Sequence, residues 1–247
     1  MRLIALGALA LVSLSFSGCS MTPERHMSGY ESVVAKQKDV VVVPAVVVYT
    51  NNKERMRTYE SHLKKIIDLE MIPAIQEKGF NVKMLTYKDI HDQKLQRVMK
   101  QLDEEYVSKH RILYQRNLWS EKEAFNILEN LGSSAVELGE ATKSDLLVFV
   151  DFASASKEAA PRTHEAIAGF FLGRPLEKRF LEASIIDIGI IDAKTGNLLW
   201  MNRHIYKGTG IAKYLETFEK DETAGSNEIK PLIRAVLDSF NKGVKKQ

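Results

Sequence analysis

The order of apolar patterns along the chain predicts an α/β fold: a single mixed sandwich of helices on a sheet, with an antiparallel hairpin near Gly196. Three observations carry this. Val40-Val41-Val42-Val43-Pro44-Ala45-Val46-Val47-Val48-Tyr49 is a β-branched run of the kind that forms a buried strand. Stretches with apolar residues at helical spacing separate it from a second continuous run, Asp145-Leu146-Leu147-Val148-Phe149-Val150-Asp151-Phe152, whose length fits a strand covered on both faces. Two further runs, residues 183–192 and 198–206, are joined by Asp192-Ala193-Lys194-Thr195-Gly196-Asn197. There Gly196 supplies the left-handed residue that a short hairpin with a bulge needs.

The other elements follow in order. Pro44 cannot donate to a ladder, so the paired part of the first strand starts after it, or the strand lies at an edge there. Thr50-Asn51-Asn52 reads as a turn and helix-cap cluster. Met56, Tyr59, Leu63, Ile66, Ile67 and Ile75 predict a helix that Pro73 kinks or shortens and Gly79 closes. Residues 80–87 read as a strand. Leu95, Val98, Met99, Leu102 and Tyr106 mark the next helix. Ser120 and Glu123 form a capping box for another, with Ala124, Leu128, Leu131, Ala135 and Leu138 as its stripe. Ile229, Leu232, Ile233, Val236, Leu237 and Phe240 predict a last helix with Pro231 in its first turn. The order is β-α-β-α-α-β-β-β-α, placed in one domain at residues 39–247.

The composition removes several functions. The 247 residues are 45% hydrophobic and 27% charged, an ordinary globular profile with enough chain to bury a core. Thirty-five basic against 32 acidic residues leave a formal charge of +3, too small for a nucleic-acid binder. One cysteine excludes a disulfide framework, a cysteine zinc cluster and a CxxC redox pair within the chain.

Arg2 precedes an apolar and small-residue stretch at residues 3–16. A spanning helix needs about 20 apolar residues, so this stretch reads as a signal peptide. Its end, Leu14-Ser15-Phe16-Ser17-Gly18-Cys19, resembles the lipobox of bacterial lipoproteins, with Phe16 standing where leucine is usual. The resemblance implies removal of residues 1–18 and acylation of Cys19 with a thioether diacylglycerol and an amide-linked chain. Two or more acyl chains anchor a protein stably. Ser20 after the cysteine implies the outer membrane, with the protein facing the periplasm. Residues 19–38 show no period and read as a tether spanning roughly 25 Å on average.

Three pieces of the domain resemble the fold of the TolB amino-terminal domain, shared by curli-secretion channel lipoproteins and penicillin-binding-protein activator lipoproteins. They are Val46-Val47-Val48-Tyr49-Thr50-Asn51-Asn52, then Leu138-Gly139 with Ser144-Asp145-Leu146-Leu147-Val148, and Asp192-Ala193-Lys194-Thr195-Gly196-Asn197-Leu198-Leu199-Trp200. The third is the most specific. The resemblance covers residues 40–243, is patchy over 88–120 and matches nothing over 154–181. It implies a mostly non-enzymatic role, contacting envelope proteins or assembling into rings and channels.

Candidate chemistry is sparse. His26, His62, His91, His110, His164 and His204 show neither HxxxH nor HExxH spacing and read as solvated surface residues. The adjacent pairs His91-Asp92 and His164-Glu165 point different ways on regular structure. No GxSxG elbow is present, and acylation consumes Cys19. Gly208-Thr209-Gly210 lacks the rest of a phosphate loop. Asp187, between Ile186 and Ile188, is expected to face solvent by strand alternation. Trp200 reads as a residue that packs a helix on the sheet.

The segment Ala166-Ile167-Ala168-Gly169-Phe170-Phe171-Leu172-Gly173 is apolar, uncharged and flanked by Arg162, Arg174, Lys178 and Arg179. Phe170, Phe171, Leu172 and Arg174 are the candidate partner-binding residues. The sequence as a whole reads as a non-catalytic binding or accessory subunit of a cell-envelope assembly. It is held at the outer membrane through acylated Cys19, with an envelope protein as partner, a homo-oligomer left open, and no nucleic acid, metal or cofactor. The alternative is a ring-forming secretion-channel subunit of the curli type. That reading needs strands that alternate over about ten residues, and neither 154–181 nor 207–225 does so.

Overall fold

A computed structural model describes residues 20–21, 24–51, 54–55, 57–115, 127–155, 183–207 and 222–241. The valine run forms two strands, β3 (Asp39–Val42) and β4 (Val46–Asn51), both parallel to β7 (Leu146–Ala155). Val42 lies opposite Val148 and Val46 opposite Asp151, so three residues around Pro44 face two on β7. This bulge is how a central strand accommodates a proline. The ladder therefore runs on both sides of Pro44 rather than starting after it. α2 (Arg57–Gln76) satisfies the backbone at the break: Ala45 N–H donates to Asp68 Oδ1 at 2.9 Å, and Lys64 Nζ donates to Ala45 O at 3.0 Å.

β8 (Ala183–Asp192) and β9 (Leu198–Lys207) form the expected antiparallel hairpin, and β8 also pairs antiparallel with β7. β6 (Asn81–Met84) pairs parallel with β3 at the opposite edge. Short strands complete the sheet: β1 (Ser20–Met21) and β2 (Arg25–His26) on β9, and β5 (Glu54–Arg55) on β4. The result is one mixed sheet with strand path β1-β9-β8-β7-β3-β6.

Helices cover both faces. α1 (Tyr30–Val34), α2 and α6 (Glu222–Leu237) pack on Val148, Val150, Phe152, Ile186, Ile188, Ile190 and Trp200. α4 (Gln96–Gln115) and α5 (Gly132–Thr142) pack on Val41, Leu147, Phe149, Ile191 and Met201, with α3 (Tyr87–Asp92) leading into α4. Alternate residues of β7 thus serve two separate apolar cores, which explains its unbroken hydrophobic run. Trp200 is fully buried, with its ring centroid 5.2 Å from that of Phe240, as a helix-packing residue should be. Among the described residues, no helix is long and apolar enough to cross a membrane.

Three expectations change. Residues 24–38 do not form a free tether: β2 and α1 belong to the domain, and Tyr30 and Val34 are buried in its core. Their apolar residues are few, so the period is too short to recognise in sequence. The helix placed over Ala124 and Leu128 begins at Gly132 instead. Leu128 is 84% exposed, because residues 127–131 run outside the helix beside the hairpin: Asn130 bridges Asn197, Leu131 N–H donates to Gly196 O and Leu198 N–H to Glu129 O. Ser120, Glu123 and Ala124 lie outside the described residues. Pro231 sits inside α6 rather than in its first turn, since the helix starts at Glu222. α2 continues through Pro73 to Gln76, and the Pro73 carbonyl still accepts from Glu77 N–H at 2.9 Å.

Candidate functional site

The register of the three central strands brings charged residues into one row. Asp151 on β7 lies opposite Asp187 on β8, which lies opposite Arg203 on β9. Alternation puts the row on the face that also carries Phe149, beneath α4. Leu102, Tyr106, His110 and Leu113 form the inward side of α4 at three- and four-residue spacing. Tyr106 stacks on Phe149 with ring centroids 4.8 Å apart and lies over Gly189, where a Cβ would come within 2.7 Å of the ring. One turn on, α4 delivers His110. Relative exposures are 2% for Asp151, 0% for Asp187, 1% for Arg203 and 2% for His110.

Arg203 holds Asp187 in a forked pair: Nε donates to Oδ1 at 2.6 Å and Nη2 to Oδ2 at 3.0 Å. His110 Nε2 lies 3.1 Å from Asp187 Oδ2 and 2.9 Å from Arg203 Nη2. Its tautomer decides which it serves: a protonated Nε2 donates to Asp187, and a bare one accepts from Arg203. The row is tied to the opposite face by Asn202, whose Nδ2 donates to Val236 O of α6 at 2.9 Å.

Burial sets the protonation states, and the neighbours modify it. Burial would raise the Asp187 carboxyl, but the Arg203 charge, His110 and their hydrogen bonds together hold it below its ordinary value. Burial pushes the His110 imidazole down, so it is neutral at pH 7. Burial, the Asp187 carboxylate and then Asp103 push Asp151 well above the usual carboxylate range. Asp151 Oδ2 has no hydrogen-bond partner among the described residues. These shifts favour the neutral imidazole on His110 and the protonated acid on Asp151, beside the Asp187–Arg203 ion pair.

This arrangement braces α4 on the sheet. Among the described residues it does not position Ser154 or Ser184 as a nucleophile. Ser154 and Ser184, hydrogen-bonded to each other at 2.8 Å, lie on the other face from His110 by alternation along β7 and β8. Among the described residues no group of three metal-ligating side chains stands together.

Two sequence readings are corrected here. Asp187 was expected to face solvent, yet β8 lies between β7 and β9 with helices on both sides, so neither of its faces is open. His110 and His204 are buried rather than solvated, while His91 is exposed and pairs only with its neighbour Asp92, Nδ1 to Oδ1 at 3.5 Å. Asp151 and Arg203 were missed altogether. The available signal was a lone charge inside each of two long apolar strands. Cys19, Phe170, Phe171, Leu172 and Arg174, the candidate lipidation and partner-binding residues, lie outside the described residues, as do His164-Glu165 and Gly208-Thr209-Gly210.

No family model and no curated protein matches the chain. Similar solved structures include the PelC dodecamer from Paraburkholderia phytofirmans, at 12% identity over 89% of this chain and 94% of that one, with a TM-score of 0.34. The C-terminal domain of LpoB from Salmonella enterica is similar at 8% identity over 74% of this chain and 96% of that one, with a TM-score of 0.30. Lipoprotein GNA1162 from Neisseria meningitidis is similar at 10% identity over 76% and 97%, with a TM-score of 0.31.

Proposed function

We propose that this chain is an outer-membrane lipoprotein, anchored through acylated Cys19 and facing the periplasm, whose α/β domain is a non-catalytic binding or accessory subunit of a cell-envelope assembly. The observation that carries the reading is the single cysteine of the chain. It stands directly after Ser17-Gly18 at the end of an apolar stretch too short to span a membrane. The buried charge row supports a structural use of the domain's ionisable groups, since Asp187, Arg203 and His110 are buried and bonded to one another. The contact with a protein partner is assigned to Phe170, Phe171 and Leu172, with Arg174 at the rim. Burying two phenylalanines contributes roughly 3 to 6 kcal/mol before ordering costs, enough to matter for association.

Palmitate-analogue labelling and membrane fractionation test the anchor: the intact chain takes up label and sediments with outer membrane, and Cys19→Ala does neither. A Cys19→Ala protein that stays membrane-bound at the same processed mass removes the anchor from this reading. For the partner contact, Phe170→Ser with Phe171→Ser should leave the domain folded and weaken its crosslinked complex in envelopes. Global unfolding of that double variant would make the segment core and end its assignment as an interface.

A further inference from the structure

The sheet begins one residue after the proposed anchor. Ser20 lies opposite Ile205 and Met21 opposite His204 on β9. Consecutive Cα atoms are about 3.8 Å apart, so an acylated Cys19 has almost no slack before the ladder starts. The same register defines which end of the molecule this is. Thr50 lies opposite Ala155, Ala155 opposite Ala183, and Ala183 opposite Lys207, all at the end of the sheet that carries Ser20. β7 and β9 end and β8 begins at this end. The hairpin turn at Asp192–Asn197 and the start of β7 lie at the other end, the length of β9 away, roughly 30 Å for a ten-residue strand.

We propose, building on the anchor reading above, that the domain stands directly on the phospholipid surface. The Ser20–Lys207 end of its sheet faces the bilayer, and the hairpin end points into the periplasm. The occupant of this end is the bilayer that holds the anchor, because no chain length is available to lift the domain from it. A tethered domain would tumble and present both ends equally. An anchor joined to the edge of a nine-stranded sheet fixes one end near the lipid.

Two labelling positions read this orientation. Thr58, exposed at the start of α2, lies at the anchored end, since its neighbour Tyr59 packs edge-on against Tyr49 of β4. Lys143, exposed at the end of α5, lies at the hairpin end beside Asp145. Acylation occupies the Cys19 thiol, so Thr58→Cys or Lys143→Cys provides the one reactive thiol in the lipidated chain. Each variant, matched to the parent by circular dichroism, is labelled with a donor dye. It is then reconstituted in phosphatidylethanolamine–phosphatidylglycerol vesicles that carry an acceptor lipid.

Energy transfer several-fold higher from position 58 than from position 143 is expected. Inserting a twenty-residue Gly-Ser linker between Cys19 and Ser20 should abolish the difference. Equal transfer from the two positions without the linker overturns the proposal, whether the domain tumbles or lies on its side. Vesicle flotation separates the two readings: protein that fails to float refutes the anchor and this orientation together, whereas equal transfer in floating protein refutes the orientation alone.

Discussion

The start and the middle of β7 treat an aspartate in opposite ways. At the start of the strand, Asp145 stands in a turn. Its Oδ2 accepts the backbone N–H groups of Lys38 and Asp39 at 2.9 and 3.1 Å, and Lys194 Nζ pairs with Oδ1 at 2.8 Å. Burial works against the charge, but these three donors outweigh it and hold the carboxyl below its ordinary value. Six residues on, Asp151 lies inside the sheet next to a second carboxylate and is pushed well above that value. Chain distance is trivial; donors make the difference. The hairpin end is rich in spare N–H groups because turns leave them unpaired, and side chains such as Asp145, Asp192 and Asn130 collect them. In the middle of the sheet the ladders take most N–H groups, and none among the described residues reaches Asp151 Oδ2. An acid in that position keeps its proton or borrows a cation, and the one guanidinium is already committed to Asp187.

The largest test of this contrast is Arg203→Leu. It leaves Asp187 buried without its guanidinium and should cost about 3 to 5 kcal/mol in urea unfolding. Adding Asp187→Leu should recover a large part of that loss, because it removes the stranded charge. A double variant no more stable than the single one would show that the row matters for something other than charge pairing. Gly189→Ala comes next. Its methyl group would press on the Tyr106 ring, and displacing that ring from Phe149 should cost about 1 to 3 kcal/mol by the same measurement.

At the hairpin end, Gly196 has φ of 75°, and a Cβ there would meet Gly132 O at 2.7 Å. Gly196→Val should lower stability by about 1 kcal/mol or more, and an unchanged melting curve would contradict the turn geometry. The smallest effects are a pair with opposite pH dependence. The folded-state value of Asp145 is depressed, so its contribution is present above the unfolded value of about 3.9 and lost as pH falls through the folded one. Asp145→Asn should therefore cost about 1 kcal/mol at pH 7 and less below pH 4. The folded-state value of Asp151 is raised, so its contribution is present below about 3.9 and lost as pH rises. Asp151→Asn should be more stable than the parent at pH 8, with the gain vanishing near pH 4. Two parallel stability profiles in place of opposed ones would erase the distinction between the start and the middle of the strand.

Much of the fold was legible because it rests on local signals. The valine run, the 3.6-residue stripes of α2 and α4 and the turn at Gly196 each announce themselves within about ten residues. What escaped was set by distant parts of the chain. α1 and β2 belong to the domain only because β9 offers a partner edge almost two hundred residues later. Leu128 looked like part of a helical stripe, and only the hairpin's claim on residues 129–131 pulls it out. The charge row is the clearest case. Asp187 was assigned to solvent by applying the alternation of a sheet with one open face, although the neighbouring run through Phe152 already implied a sheet covered on both. Had that implication been carried one strand further, Asp187 would have needed a buried cation, and Arg203 is the one that β9 supplies in register.

The bulge at Pro44 has a consequence for how this protein tolerates insertions and deletions. Before it, the even-numbered Val40 and Val42 serve the α2 side of the sheet; after it, the odd-numbered Ala45, Val47 and Tyr49 do. The extra residue shifts the phase of the strand, so odd positions carry apolar bulk inward where even ones did a few residues earlier. Removing any one residue from 43–45 would leave two residues facing the two on β7, so the strand would run unbroken with Val46 still opposite Asp151 and Val47 still opposite Phe152. Every side chain up to Asn51 would keep its address, Tyr49 in the core and Val46 on the other face. A second residue inserted or removed there would instead reverse them all, so the stretch around Pro44 absorbs a change of one residue in one direction only.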